Sequence, residues 1–183
     1  MNRCRWCNPN NPLYIAYHDT EWGRPVHDDR KLFEFLILES FQAGLSWETI
    51  LKKREHFRRA FDDFDPEIIC RYDQMKVQEL MSDPGIVRNR RKIEAAIVNA
   101  SVFLQIRQEW SGFSNYIWHF TGGKTVYESS LTSSALSDCI AKDLKQRGMR
   151  FVGTTIVYAY LQAVGIIHSH DPDCDLYMTS PSG

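Results

Sequence analysis

The chain has 183 residues, 43% hydrophobic content and a formal net charge of −1. That length and apolar fraction give one compact unit a real core and exclude global disorder. The near-zero charge excludes a generally basic nucleic-acid binder, so any polyanion must be met by local clusters.

Near the N-terminus, Met1-Asn2-Arg3-Cys4-Arg5 leads into polar residues without an apolar stretch, so no secretory signal is expected. Five cysteines, an odd count, then point to a reducing, cytoplasmic compartment with thiols free or on a metal. Asn8 to Gly23 is rich in Pro and aromatics, with Trp6 just before it and Tyr14, Tyr17 and Trp22 within it. It reads as a surface coil or as one wall of a site.

Asp28 to Ala43 is the first strong helix. Leu32, Leu36, Glu39 and Ala43 share a stripe that should face the core, which places a carboxylate on the buried side. Such a group is costly unless paired. A buried ion pair with an arginine such as Arg54 is one solution. A pocket beside Trp47 is the other, because a carboxylate among aromatic faces suits a flat, electron-poor or cationic ligand. Gln42 to Leu45 forms the turn that follows, and Ser46 caps a helix over Trp47 to Lys53.

Asp65-Pro66 opens a short helix to Arg71, and Lys76 to Ser82 forms another. Pro84-Gly85 then turns into Arg88-Asn89-Arg90-Arg91-Lys92 at the head of the longest helix, Asn89 to Gln108. This is the layout of a helix-hairpin-helix element, whose turn presents N–H groups and basic side chains to a DNA phosphate. Its usual second glycine is missing, with Arg88 near that place, so a solvated basic helix start is the competing reading. The runs Lys52-Lys53-Arg54, Arg58-Arg59 and Lys145 to Arg150 read as solvated faces.

Phe113 to Phe120, Ser134 to Arg147 (stopped by Gly148) and Phe151 to Val164 complete the helices. Strand alternation is nearly absent, so the fold class is all-α. No run reaches membrane-spanning length. Thiols and imidazoles gather at the two ends: Cys4, Cys7 and His18, then His168, His170 and Cys174. Cys4 and His18 with His170-x3-Cys174 would make a closed Cys2His2 zinc site stapling the termini. Cys4-x2-Cys7 with the C-terminal pair is the alternative, and plain unliganded residues a third.

These segments together resemble the bacterial 3-methyladenine DNA glycosylase I family, an atypical branch of the helix-hairpin-helix glycosylases. The matching stretches are Cys4-x-Trp6, Tyr17-His18-Asp19-x-Glu21-Trp22-Gly23, Glu39-x2-Gln42-Ala43-Gly44-Leu45-Ser46-Trp47 and Leu51 to Arg54. Further along they are Gly85-Ile86 with Lys92-Ile93, Lys145-x-Arg147-Gly148, Phe151 to Thr155 and His170-x3-Cys174. The resemblance implies one structural zinc on Cys4, His18, His170 and Cys174. It implies a base pocket of Glu39, Tyr17, Trp47, Trp6, Tyr14 and Trp22, with Glu39 as the acting carboxylate. DNA contacts are expected on Gly85, Arg88, Arg90 and Lys92, and Leu45 in the turn after Gln42 reads as an apolar wedge or equally as a core residue. Thr154 and Thr155 line the pocket floor or cap their helix. Departures from the family are Ser40-Phe41, where Phe41 stands at the pocket lip, and the additional thiol Cys7.

The implied activity is hydrolysis of the N-glycosidic bond of 3-methyladenine in alkylated double-stranded DNA, releasing the free base. Arg88 to Gln108 holds no Asp of the kind many relatives place after the hairpin, and no Lys is placed for a Schiff base. A monofunctional enzyme acting on a labile, cationic substrate follows. The expected unit is 1–183, a monomer of two lobes: a central helical lobe over about 30–150 with its hairpin at 83–92, and a zinc-stapled lobe from both terminal segments. Two other classes stand against it: a non-catalytic zinc-stapled DNA-binding module, and a zinc hydrolase, which would need an open coordination position.

Overall fold

The computed structural model describes residues 1–178. Within them lie α1 (Pro12–Thr20), α2 (Asp29–Gln42), α3 (Trp47–Ala60), α4 (Pro66–Ile69), α5 (Gln74–Ser82), α6 (Arg90–Glu109), α7 (Phe113–His119), α8 (Ala135–Gln146) and α9 (Thr154–Ala163). Two-residue strands β1 (Val126–Tyr127) and β2 (Ile167–His168) pair in parallel, with Val126 opposite Ile167. The all-α expectation therefore holds apart from this short ladder, which is too brief to leave an alternating pattern.

The helix starts follow local chemistry. Asp28, Ser46, Asp73 and Asn89 each accept a backbone N–H of the first turn. The segment expected as coil or wall is a helix, α1. Asn11 accepts the Leu13 N–H at its N-cap, and Pro12 occupies the first position, where its missing donor costs nothing. Helix α3 runs past the expected Lys53 to Ala60, carried by the buried residues Arg54 and Phe57.

Helix α2 is the axle of the molecule. Every residue from Leu32 to Phe41 is buried, so its surroundings cover it all round rather than along one stripe. Helices α3, α6, α7 and α9 pack on it. The core is one continuous cluster that includes both Cys4 and Cys174. Phe41 lies at 0% exposure against Phe57 and Phe61, ring centroids 4.9 and 5.8 Å away. It is core, not pocket lip as expected, because it sits on the side of α2 turned toward α3.

Helices α5 and α6 with the turn between them form the hairpin. Asp83 Oδ1 accepts the Gly85 N–H at 2.7 Å, and Lys53 Nζ donates to the Pro84 carbonyl at 2.9 Å. A Cβ on Gly85 would stand 2.7 Å from His56 Cδ2 and 2.9 Å from Asp83 Oδ1, so the turn packs too closely for a side chain.

Candidate base pocket and metal centre

A cavity of about 290 Å³ opens where α1, α2 and α9 meet the β1–α8 loop and the segment after β2. Tyr14, Tyr17 and His18 lie on one buried face of α1, as spacings of three and four require. Trp6, Tyr14, Tyr17, Trp22 and Trp47 all line the cavity. Trp6 is the hub, with ring centroids 5.3 Å from Tyr14 and 4.9 Å from Trp22, edge-on to the latter. Tyr17 stands 5.4 Å from Trp47. Asn8 and Asn11 donate to Glu48 at 3.2 and 2.8 Å, which braces the first turn of α3 beside Trp47.

Glu39 projects into the same cavity at 4% exposure. Burial alone pushes its carboxyl up to about 8, with neither a hydrogen bond nor a nearby cation among the described residues to offset it. The arginine weighed as its partner is engaged elsewhere: Arg54 Nε donates to Glu34 at 2.6 Å, and its guanidinium reaches Glu21 at 2.7 Å. Arg54 is 6% exposed, so it is a core cation and not part of a solvated face. Trp47 Nε1 is buried without a hydrogen-bond acceptor among the described residues. The pocket thus carries an unmatched acceptor and an unmatched donor among aromatic faces. Such a surface holds a flat ligand with polar edges and positive charge.

Directly behind this wall, Cys4, His18, His170 and Cys174 bring one donor atom each to within 4.8 Å of one another, all buried. Cys4 Sγ to His170 Nδ1 is 3.3 Å, and Cys174 Sγ lies 3.5 Å from both His170 Nδ1 and His18 Nε2. A tetrahedral zinc with ordinary bond lengths has S–N edges of about 3.5 Å. The surroundings fit as well. Asp171 and Leu176 donate backbone N–H groups to Cys4 Sγ and Cys174 Sγ. His18 Nδ1 bonds Asp19 at 2.8 Å, and Arg3 holds Asp19 in turn, the relay that orients ligating histidines. Burial, then His168 and His18, push His170 down to about 4, leaving the neutral ring that binds metal. Cys7 stays outside the set, its thiol 3.7 Å from the Tyr14 carbonyl.

The two sites share a wall: Trp22 stacks edge-on to His170 at 4.7 Å, and Trp6 lies 5.2 Å from His18. The model of the methyladenine glycosylase family matches residues 6–177. The chain belongs to that family. It is 45% identical to the DNA-3-methyladenine glycosylase 1 of Escherichia coli K12, over 97% of both chains. A crystal structure of a 3-methyladenine DNA glycosylase I superposes with TM-score 0.92 at 44% identity, covering 97% of this chain and 100% of that one. A structure from Staphylococcus aureus, solved for its recognition of 3-methyladenine, gives TM-score 0.92 at 37% identity over 99% of both chains.

Several expected residues fall differently. Lys92 is 7% exposed and its ammonium is bonded to the carbonyls of Phe41 and Ala43, so it caps α2 instead of facing a phosphate. Thr154 and Thr155 lie outside the pocket lining, and Thr154 Oγ1 bonds Ser137 Oγ at 2.8 Å. Later turns of α9 supply Ala159 and Gln162 instead, while Ser130, Leu131, Ser169 and Asp171 line the cavity from loops far away in sequence. Nothing local in the chain marks these residues. Leu45 at 38% exposure and the exposed Arg88 and Arg90 stand on the surface, and Gly85 lies at the hairpin tip.

Proposed function

We propose that this chain is a monofunctional DNA glycosylase that hydrolyses the N-glycosidic bond of 3-methyladenine in alkylated double-stranded DNA. The products are the free base and an abasic site. Glu39 carries this reading: a buried carboxyl with no partner among the described residues, facing an aromatic cavity. The S. aureus relative is a 3-methyladenine-recognising enzyme, which supports the same ligand here.

The target nucleotide leaves the helix stack and places its base among Trp6, Tyr14, Tyr17, Trp22 and Trp47. Methylation makes the base cationic in DNA, and each aromatic face attracts that charge by about 0.5–2 kcal/mol. Glu39 gives up its proton to bulk water and accepts from the base edge, a charge-assisted bond about twice as strong as a neutral one. Water attacks the anomeric carbon and releases a proton to bulk solvent, while the C–N bonding electrons go to the base and cancel its positive charge as it departs. Unmodified adenine brings no charge into the cage and is a poor leaving group. Gly85, Arg88 and Arg90 hold the phosphate backbone, and Leu45 fills the gap in the duplex.

Cys4, His18, His170 and Cys174 hold one zinc, closed to substrate and structural in role. It fastens α1 to the segment after β2, and so fixes Trp6 and Trp22. The enzyme works as a cytoplasmic monomer, with a hairpin lobe over about 30–150 and a lobe built from both terminal segments.

The test is incubation with methylated duplex DNA and assay of released purines. Free 3-methyladenine with intact abasic strands is expected. DNA binding with no release above blank would mean a non-catalytic module. Metal analysis of freshly purified protein is expected to give about one zinc per chain. A content far below that removes the staple.

A further inference from the structure

Lys92 sits in the first turn of α6, directly after the hairpin, yet its charge does not point outward. Its ammonium donates to the Phe41 carbonyl at 2.8 Å and the Ala43 carbonyl at 2.7 Å. Both belong to the C-terminal end of α2, where carbonyls lack helical partners and the helix dipole is negative. A lysine buried for this purpose is costly, and an uncharged cap would spare that cost.

The next residues after this cap are Gly44, with φ +82°, and the exposed Leu45. Gln42, which lines the base cavity, donates from Nε2 to the Leu45 carbonyl at 2.7 Å, closing the same turn from the other side. Glu39 lies one helical turn before Ala43 on α2. One ammonium therefore joins three parts: the hairpin helix, the turn bearing Leu45, and the end of the helix that bears Glu39.

We propose that Lys92 is a positioning residue, which sets the Leu45 turn at a fixed offset from the hairpin so that phosphate grip and duplex entry occur in register. This rests on the reading of Leu45 as the wedge. Its consequence is selective. Loss of the ammonium harms work on duplex DNA, where hairpin and turn must act together, and spares the free base, which needs only the cavity.

The experiment compares wild type, Lys92→Met, Leu45→Ala and the double variant. The readouts are excision from methylated duplex, affinity for free 3-methyladenine, and the salt dependence of duplex binding. Lys92→Met, which loses both hydrogen bonds of the ammonium, is expected to slow excision at least about tenfold, the low end of the scale for charged hydrogen bonds. Free-base affinity stays within about twofold, and the double variant is no slower than Leu45→Ala, since both changes act on one turn. The slope of log K against log salt is unchanged. A slope smaller by about 0.9 overturns the proposal, because Lys92 would then be neutralising a phosphate. Additive losses in the double variant, or loss of free-base binding by Lys92→Met, overturn it as well. A Leu45→Ala enzyme as fast as wild type removes the wedge itself, and with it this role, whereas a slowed Leu45→Ala beside an unaffected Lys92→Met refutes Lys92 alone.

Discussion

Helix α2 buries two carboxylates, Glu34 at 8% and Glu39 at 4% exposure, with opposite treatment. Glu34 receives Arg54 at 2.6 Å and Arg58 at 2.8 Å. Glu39 receives nothing from the described residues, and burial raises its carboxyl to about 8. The first is a structural ion pair that ties α2 to α3. The second has no hydrogen-bond partner among the described residues and faces the aromatic cavity, the arrangement expected of a group that meets a ligand. Burial of a carboxylate is therefore no guide to function until its partners are counted.

The largest expected effect lies at the paired end. Arg54→Met removes the guanidinium that lies 5.0 Å over the Phe35 ring and bonds both Glu34 and Glu21. It should cost about 3 kcal/mol of unfolding free energy, the low end for a broken buried pair, because Arg58 still reaches Glu34. A denaturant midpoint close to wild type would erase the contrast between the two carboxylates.

At the unpaired end, Glu39→Gln should weaken 3-methyladenine binding and excision by about 1.5–3 kcal/mol, the scale of a hydrogen bond to a charged group. Calorimetry and purine release measure it, and unchanged affinity and rate would take Glu39 out of the site.

A smaller effect has the opposite sign. The unfolded Glu39 carboxyl ionises near 4.5, while the folded one keeps its proton up to about 8. Between those values the folded state holds the extra proton, so wild-type stability falls as pH rises through the window. Glu39→Gln has no such proton. It should flatten that part of the stability–pH curve and equal or exceed wild type at pH near 8 in urea melts. A parallel pair of curves would mean an ordinary carboxyl at Glu39.

The sequence makes α2, its buried carboxylate and the turn after it legible, because cap, periodicity and glycine all act locally. It cannot choose the partner of Arg54. Residues 34 and 39 stand about 140° apart around a helix axis, so the rotation of α2 against α3 decides which one the guanidinium meets. Position in the chain likewise makes Lys92 look like part of a basic patch, while packing turns it inward. Helix α1 was hidden by the same aromatic density that makes it a pocket wall, although Asn11-Pro12 is a sound start signal. The terminal Cys/His set leaves Cys7 as a rival by spacing alone. Geometry separates them, since the Cys7 thiol faces the Tyr14 carbonyl. Ser130, Leu131 and Ser169 reach the cavity only through the β1–β2 pairing, a contact between distant segments.

Whether Glu39 takes its partner from the ligand decides what this pocket is for. Its side-chain carboxyl can be titrated by carbon NMR, first in the free protein and then with 3-methyladenine bound. The expected midpoint is about 8 in the free protein, falling toward the ordinary carboxylate range when the base is present. A free-protein midpoint already in the ordinary range, or one that does not move when the base binds, would contradict that pairing.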